Sequence, residues 1–318
     1  MERILGGLWG LLIGDALGVP YEFSLAEALP PMEQLEMTPP EGFYKSYPDI
    51  PAGTWSDDGA QALCLLDSLL DCGRLDLQSF AGKLVTWLSN GMWTPDGVVF
   101  DVGHQTMAAL QAFSHGTPPE ESGLILPDGK GNGALMRTLP LVLWHQGTDG
   151  ELVLDAHRQS LPTHGHPCNQ VCCALYCLTA RRLLEGMPFE TAYPSALEDL
   201  RTIYRSLPEV YQTELELLAP DGPQTGQGTG YVVDALKSAL MILSRASSYE
   251  DAVKQAVALG NDTDTTACIT GGLAGIVFGA EGIPVRWRQA LRGRNVVEAL
   301  AARLVAYHAG LHRNGSEL

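Results

Sequence analysis

The strongest constraint on the fold is a series of alanine- and leucine-rich runs in which apolar residues recur at helical spacing. Several runs are apolar on nearly every side, which is typical of helices that are buried on most faces. No series of alternating strands interrupts them. The pattern predicts an all-α fold of layered helices. The predicted helices lie at residues 59–70, 77–88, 105–113, 134–144, 170–184, 232–243, 252–259, 266–278 and 296–311.

Three long connections rich in proline and glycine, at residues 30–51, 115–133 and 219–230, join these helices. Long loops in compact proteins are often functional, and each of these leads directly into a polar motif. None has the character of a linker between domains, because the motifs on either side share one chemistry. We therefore expect a single domain over residues 1–318.

The net charge of −17 argues against some classes of partner. A chain this acidic has no general attraction for a nucleic-acid backbone or for an anionic membrane surface. It can still bind an anionic ligand locally, through metal ions or backbone N–H groups. We therefore expect neither general nucleic-acid binding nor membrane binding.

The N-terminal apolar run and the cysteines bear on the compartment. Residues 4–13 resemble a short signal peptide, but the run of about ten residues is too short to span a membrane. No clean cleavage site follows it, so a buried first helix is predicted. The chain has seven cysteines, four of them within one predicted helix, where they are poorly placed to form disulfides. Unpaired apolar cysteines favour a reducing compartment, and the cytoplasm is the expectation.

Two short acidic clusters, about two hundred residues apart, carry the clearest chemistry. Each places paired carboxylates beside a hydroxyl at the start of an apolar helix. The first contains Ser56, Asp57 and Asp58, and the second contains Asp262, Asp264 and Thr265. Hard oxygen ligands of this kind suit Mg²⁺ or Mn²⁺. If the fold joins the clusters, their four carboxylates carry about four negative charges, which balance two divalent cations.

Helix capping is the alternative interpretation of each cluster taken alone. Serine and aspartate are preferred at helix N-termini, where their charge complements the helix dipole. Capping, however, requires one carboxylate per helix and not two. The same helix N-terminus also keeps carboxylates ionised, which a metal ligand requires.

Other polar positions are ambiguous by themselves. Glu22 follows a tight exit from the first helix, and alone it would be a surface carboxylate. The glycine-flanked segments 131–133 and 226–231 can hold phosphate or ribose oxygens on their backbone N–H groups, or can be plain turns. His164, Cys168 and Cys172 allow a zinc site to be drawn, but a second ligand pair is missing. A single functional or structural histidine is the simpler interpretation.

Taken together, these motifs resemble those of the ADP-ribosylglycohydrolase family. The resemblance runs in order over nearly the whole chain. It comprises GDALGVPYE at 14–22, GTWSDD at 53–58, DVGHQT at 101–106, GNGALMR at 131–137, THGHP at 163–167, GTGYVV at 228–233 and GNDTDT at 260–265. Any one motif is weak, but their shared order is highly specific.

The resemblance implies a compact, orthogonal, all-α helical bundle in one domain that binds two divalent cations, Mg²⁺ or Mn²⁺. Such enzymes remove ADP-ribose from modified proteins or small acceptors. The implied metal ligands are Ser56, Asp57, Asp58, Asp262, Asp264 and Thr265. The implied catalytic residues are Glu22, Asp57, Asp58 and Asp101. The implied substrate-binding residues are Gly131, Asn132, Gly133, His164, Gly230 and Tyr231.

Asp101 matches an aspartate that part of the family uses for arginine-linked ADP-ribose, so ADP-ribosylarginine on protein is the expected substrate. The alternatives are a serine, nucleobase, small-guanidine or O-acetyl linkage, or a non-catalytic relative such as the lens crystallins of this family. Two positions depart from the usual pattern. Ser56 stands where many members have threonine, which preserves the hydroxyl, and Gly59 stands where threonine is frequent.

Overall fold

The computed structural model describes residues 1–222 and 224–315. Pro223, in the third predicted connection, and residues 316–318 of the predicted domain lie outside the described residues. The described chain forms fifteen α-helices and five short 3₁₀-helices and contains no β-strand, which confirms the all-α prediction. The helices are α1 Glu2–Gly18, α2 Asp57–Cys72, α3 Leu77–Asn90, α4 His104–Ser114, α5 Pro119–Ser122, α6 Leu139–Trp144, α7 Asp149–Ser160, α8 Pro167–Leu184, α9 Phe189–Tyr204, α10 Glu209–Leu217, α11 Val232–Leu243, α12 Tyr249–Val257, α13 Thr263–Phe278, α14 Val285–Ala290 and α15 Arg294–Gly315.

All nine helices predicted from apolar spacing are present, and α6 differs most in its boundary. It begins at Leu139, because residues 132–134 form a separate 3₁₀-helix. Apolar spacing did not predict α5, α7, α9, α10 or α14. Helices α5 and α14 are only four and six residues long. The exposed faces of α7, α9 and α10 carry many charged residues, and α9 contains Pro194 in its interior, so none of the three stands out as an apolar run.

Helices α1 and α13 form the most intimate contact in the fold. Gly6, Gly10, Gly14 and Gly18 recur every fourth residue along one face of α1. At each of them, a Cβ atom would collide with the backbone of α13 or of the residue that follows it. The small residues therefore allow the two backbones to touch. As a result, the C-terminal end of α1 lies directly against the start of α13, where Gly18 packs on Asp264.

The predicted buried first helix is confirmed, although it is longer than its apolar run. Residues 8 and 10–18 are buried, and by length and composition the segment Glu2–Tyr21 is long and apolar enough to cross a membrane. Within the fold, 83% of an 18-residue apolar stretch of this segment is buried, as in the core helix of a folded domain. The seven cysteines are all free thiols, and Cys72 alone among them is exposed.

Candidate active site

The N-termini of α2 and α13 bring the two acidic clusters together. The Thr265 hydroxyl donates to Asp58 Oδ1 at 3.4 Å. One carboxylate oxygen each from Glu22, Asp101 and Asp264 lies within 4.8 Å of the others. All of these residues except Asp264, which lies behind them, line one cleft of about 440 Å³. Its lining includes Glu22, Asp57, Asp58, Asp101, Gly131, Asn132, Gly133, His164, Asp262 and Thr265.

Helix capping accounts for Ser56 but not for the aspartates. Ser56 is the N-cap of α2, and its Oγ accepts from the Asp58 backbone N–H at 3.3 Å. Asp262 occupies the N-cap position of α13 yet makes no capping hydrogen bond with its side chain. Its carboxylate instead accepts from the Asn132 side-chain amide at 2.8 Å. No aspartate of either cluster therefore serves as the N-cap acceptor of its helix.

Asp15, near the end of α1, fixes the start of α2 and was not singled out from the sequence. It is fully buried, and its two oxygens accept from the backbone N–H groups of Ser56 at 2.9 Å and Gly59 at 2.7 Å. Burial raises the pKa of this carboxyl to about 7, against the lowering effect of those bonds. A Cβ on Gly59 would come within 2.9 Å of Asp15 and 2.7 Å of Leu12, so a larger residue here would require these side chains to shift.

A buried polar chain behind Asp57 was also missed by the sequence reasoning. Gln61, one helical turn later, donates from Nε2 to Asp57 Oδ2 at 2.7 Å. Arg137 Nη1 in turn donates to Gln61 Oε1 at 2.8 Å, and its Nη2 donates to the carbonyl of Gln159. Gln61 and Arg137 are both fully buried. Polar residues inside apolar runs were the available signal, since such residues are buried only when they are paired.

Burial and crowding raise the pKa values of Glu22, Asp57, Asp58 and Asp264. Burial, followed by repulsion from Asp101 and Asp262, raises the pKa of Glu22 to about 11. Burial first, and neighbouring carboxylates second, hold the pKa values of Asp57, Asp58 and Asp264 well above the usual range. Among the described residues, none of these carboxylates forms an ion pair with lysine or arginine. The cleft is therefore deficient in positive charge.

Three buried carboxylate oxygens in the cleft have no hydrogen-bond partner among the described residues: Glu22 Oε2, Asp58 Oδ2 and Asp264 Oδ2. A buried acceptor without a partner is costly, and a cation removes that cost. The donors are carboxylate and hydroxyl oxygens, which fit Mg²⁺ or Mn²⁺. Within the described chain, no group of three metal-ligating side chains includes His164 or a cysteine.

The two predicted glycine-rich segments lie side by side at the edge of the cleft. The Asn132 N–H donates to the carbonyl of Gly230 at 3.0 Å, and Gly131 and Tyr231 form an isolated antiparallel bridge. A Cβ on Gly133 would lie 2.7 Å from His164 Cε1, so the imidazole is packed on this glycine. Burial lowers the pKa of His164 to about 3, which keeps the ring neutral. Tyr231 remains 46% exposed.

The second glycine segment is also anchored to the second acidic cluster. The carbonyl of Gly228 accepts from the Asp262 N–H at 2.9 Å. Asp234, in the first turn of α11, accepts from the N–H of Thr229 at 2.7 Å and from its hydroxyl at 2.9 Å. The sequence reasoning missed Asp234, whose position in the first turn of a predicted helix was its only signal.

Comparison with known proteins identifies the class to which this fold and cleft belong. A solved structure described as an ADP-ribosylglycohydrolase-related protein complex superposes with a TM-score of 0.76 and 31% identity. The match covers 96% of this chain and 98% of that one. The architecture is thus that of an all-α glycohydrolase. The family model described as ADP-ribosylglycohydrolase matches residues 1–313, and the chain belongs to this enzyme family.

Three curated relatives each match at least 90% of this chain. The ADP-ribosylarginine hydrolase Tri1 of Serratia proteamaculans is 29% identical over 96% of this chain and 79% of its own. The protein of the same name from Pseudomonas putida is 29% identical over 96% of this chain and 78% of its own. The ADP-ribosyl-[dinitrogen reductase] glycohydrolase of Rhodospirillum rubrum is 26% identical over 90% and 89%, respectively.

Proposed function

We propose that this chain is a cation-dependent hydrolase that releases ADP-ribose from ADP-ribosylated arginine on protein. The observation that carries the proposal is the cleft of crowded carboxylates, three of whose buried oxygens have no partner among the described residues. The names of the Serratia and Pseudomonas relatives support the arginine linkage. We further propose that the whole chain acts as one domain, and that it works in the cytoplasm, where its free thiols stay reduced.

Two divalent cations, Mg²⁺ or Mn²⁺, are proposed to occupy the cleft. Their ligands would be Ser56, Asp57, Asp58, Asp262, Asp264 and Thr265. When bound there, such cations orient the ribose hydroxyls next to the scissile bond and stabilise charge in the transition state. The polar chain from Arg137 through Gln61 holds Asp57 in the orientation that this role requires.

The glycine segments are proposed to bind the ADP-ribose moiety. Gly131, Asn132 and Gly133 line the cleft, and the backbone N–H groups of Gly131 and Gly133 would suit phosphate and ribose oxygens. Gly230 pairs with Asn132 and so fixes the shape of this edge. The half-exposed ring of Tyr231 offers an apolar face to a base. The neutral imidazole of His164 supports Gly133 from below and adds no charge.

Glu22 and Asp101 are proposed to act on the two fragments of the bond that breaks, Glu22 on the water that attacks the ribose and Asp101 on the leaving group. A water oxygen bonds to the anomeric carbon, the glycosidic C–N bond breaks, and the Glu22 carboxylate accepts a water proton. That proton then passes to the departing guanidine nitrogen, so the leaving group is released as guanidinium. Once the cleft charge is compensated, Glu22 ionises and becomes a base. Asp101 pairs with the guanidinium that leaves, because carboxylates bind guanidinium groups through two parallel hydrogen bonds.

A panel of acceptors tests this proposal. Arginine-, serine- and nucleobase-linked ADP-ribose and O-acetyl-ADP-ribose would be incubated with the protein in Mg²⁺, in Mn²⁺ and in EDTA, and free ADP-ribose measured. We expect release from the arginine linkage that stops in EDTA and in Glu22→Gln. The control is Glu41→Gln, at an exposed position outside the cleft.

Three results would contradict the proposal in different ways. Release from another linkage would retain the hydrolase and replace its acceptor. ADP-ribose binding without release from any linkage would favour a non-catalytic relative. Full activity in EDTA would remove the cation from the mechanism.

A further inference from the structure

Phe23 is held in a strained backbone conformation at the cleft, directly after Glu22. Its φ angle is +60°, which bulky side chains rarely adopt, and the residue is 65% exposed. Its N–H donates to the carbonyl of Asn261 at 2.7 Å, and the Asn261 N–H donates to the carbonyl of Ser24 at 2.7 Å. Strain of this kind is kept where the conformation serves a site. Here it holds an aromatic ring at the cleft and outside the core.

An aromatic cluster connects Phe23 to Asp101. The ring of Tyr47 lies 6.3 Å from that of Phe23 and meets the ring of Phe100 edge-on at 5.1 Å, centroid to centroid. The Tyr47 hydroxyl donates to Asp101 Oδ1 at 2.6 Å. Asp101 is itself at a φ angle of +57°, so its carboxylate is also held by a strained backbone. The cleft therefore presents one exposed aromatic face and one fixed carboxylate close together.

The loop that carries Tyr47 forms hydrogen bonds both to the Glu22–Phe23 segment and to Asp101. Ser46, its neighbour, donates from Oγ to the carbonyl of Glu22 at 2.8 Å. Adjacent side chains of the first long connection thus hold the Glu22–Phe23 segment and the Asp101 carboxylate in one arrangement. A single segment sets the distance between the aromatic face and the carboxylate.

We propose that Phe23 and Asp101 form the acceptor subsite, which selects a planar cation, and that Tyr47 is its positioning residue. This inference rests on the proposed hydrolase function and specifies the part of the cleft that recognises the leaving group. The guanidinium plane stacks on the Phe23 ring while its N–H groups donate to Asp101. The hydrogen bond from Tyr47 orients the Asp101 carboxylate so that its oxygens lie in the guanidinium plane.

The chemistry of the subsite formed by Phe23 and Asp101 favours guanidinium over the other acceptors. A guanidinium group is planar, weakly hydrated and always charged, so it gains from an aromatic face and from a carboxylate at once. A serine or O-acetyl oxygen offers neither a plane nor a positive charge. The excess of carboxylates in the cleft also favours a cationic leaving group.

Binding measurements isolate the contribution of the guanidinium group. The quantity of interest is the guanidinium gain, the dissociation constant of ADP-ribose divided by that of ADP-ribosylarginine. Titration calorimetry in Mg²⁺ would measure it in a Glu22→Gln background, so that the ligand is not consumed. Phe23→Gly removes the ring, and folding should be retained because glycine is at ease at this φ. Phe23→Trp restores an aromatic face.

We expect Phe23→Gly to reduce the guanidinium gain by about fivefold to thirtyfold. Its affinity for ADP-ribose should stay within about twofold of the parent, because the ring contacts only the acceptor. Phe23→Trp should retain the gain. Tyr44→Gly removes an exposed aromatic ring from the loop that carries Tyr47 and should change neither constant. An undiminished gain in Phe23→Gly, or an equal loss of ADP-ribose affinity, would overturn the subsite.

Tyr47→Phe separates positioning from packing, since it keeps the ring and removes only the hydroxyl. We expect a higher KM for arginine-linked substrate at an unchanged melting temperature, with serine-linked substrate unaffected. An equal loss on both linkages would make Tyr47 a purely structural residue and contradict its assignment.

The two proposals fail separately. A protein that releases ADP-ribose from no linkage ends the hydrolase proposal, while the guanidinium gain still decides the subsite. A protein that hydrolyses arginine-linked ADP-ribose with a gain insensitive to Phe23 loses the subsite alone.

Discussion

Glu22 and Glu36 belong to the same N-terminal stretch of chain, yet their carboxylates lie in opposite electrostatic surroundings. Glu36 accepts from Arg286 at 2.9 Å and lies 3.3 Å from the Lys254 ammonium group. Partial burial opposes ionisation of Glu36, but the bonds from Arg286 and Trp287 outweigh it and lower its pKa. Burial and neighbouring carboxylates raise the pKa of Glu22 to about 11.

The two acidic regions differ in whether the chain itself supplies positive charge to balance their carboxylates. With Glu250, the residues Glu36, Lys254 and Arg286 form an ion-pair cluster in which the chain supplies its own positive charge. The cleft brings together more carboxylates, and no lysine or arginine of the described residues is among its lining. An uncompensated buried charge costs several kcal/mol, so such crowding persists where a bound cation offsets it in the working state.

The largest expected effect comes from reducing the charge of the cleft. Asp264→Asn removes a fully buried carboxylate that has an unpartnered oxygen. We expect kcat/KM for arginine-linked ADP-ribose to fall by at least about a hundredfold, since bound cations contribute several kcal/mol to such reactions. Initial-rate measurement of released ADP-ribose in saturating Mg²⁺ would check this.

A matched change in a compensated pair should have the opposite signature. Asp67 is also buried, but it pairs with Lys83 and Arg303. Asp67→Asn should leave kcat/KM unchanged while lowering the free energy of unfolding by about 1–3 kcal/mol. If both variants lost stability and neither lost activity, the distinction between the two kinds of acidic site would be wrong.

The next effect is that of Gln61, which acts through Asp57. Gln61→Ala removes the 2.7 Å bond to Asp57 and leaves Arg137 Nη1 without its acceptor. We expect a tenfold to hundredfold loss of activity or of Mg²⁺ affinity, about the usual effect of removing a partner of a metal ligand. Gln255 is a matched control, because it bonds to Asp251 one turn earlier outside the cleft. Equal losses in Gln61→Ala and Gln255→Ala would contradict the positioning role.

Cation binding should also be visible as stability. A ligand that binds only the folded state at a hundred times its dissociation constant adds about 2.7 kcal/mol. For a chain of this size, that corresponds to a rise of several degrees in melting temperature. Differential scanning fluorimetry with Mg²⁺ or Mn²⁺ should show the rise in the parent and not in Asp264→Asn. A rise of equal size in both proteins would assign the effect to cations bound elsewhere.

The features of this site that could be predicted from the sequence are those that appear as local patterns of residues. Apolar spacing predicted α2 and α13, and paired acids marked their N-termini. Whether the two clusters meet was left open by the sequence, and the hydrogen bond between Thr265 and Asp58 shows that they do. Resemblance to a family supplied Glu22, Asp101 and the substrate. The roles of the individual residues remain predictions.

What the sequence could not supply depends on contacts between distant segments. Asp15 looked like the end of an apolar run, but it holds the start of α2 across the α1–α2 contact. Arg137 is the last residue of the motif at 131–137, and nothing in the sequence indicates that its side chain contacts Gln61. The bond from Tyr47 to Asp101 links a proline-rich loop to a strained turn, and neither has a periodic pattern. Such contacts arise from packing, which no local propensity encodes.

The smallest expected effect is a difference in the pH dependence of stability without cations. The pKa values of Asp101 and Asp15 rise to about 6 and about 7 from the usual 3.8, mainly through burial. Between about pH 4 and 7, the folded protein therefore holds more protons than the unfolded chain, and the free energy of unfolding falls as pH rises. Urea unfolding in EDTA should show this slope, and Asp101→Asn should flatten it.

The ion-pair cluster should give the opposite slope on the acid side. The pKa values of Glu36 and Glu250 are lowered, because the bonds from Arg286 outweigh the effect of burial. The stability that these carboxylates add is present above their usual pKa and is lost as pH falls through the lowered values. Glu36→Gln should reduce the loss at acid pH and leave the slope above pH 4 intact. If Glu36→Gln and Asp101→Asn altered the same part of the curve, the two acidic regions would not differ in charge compensation.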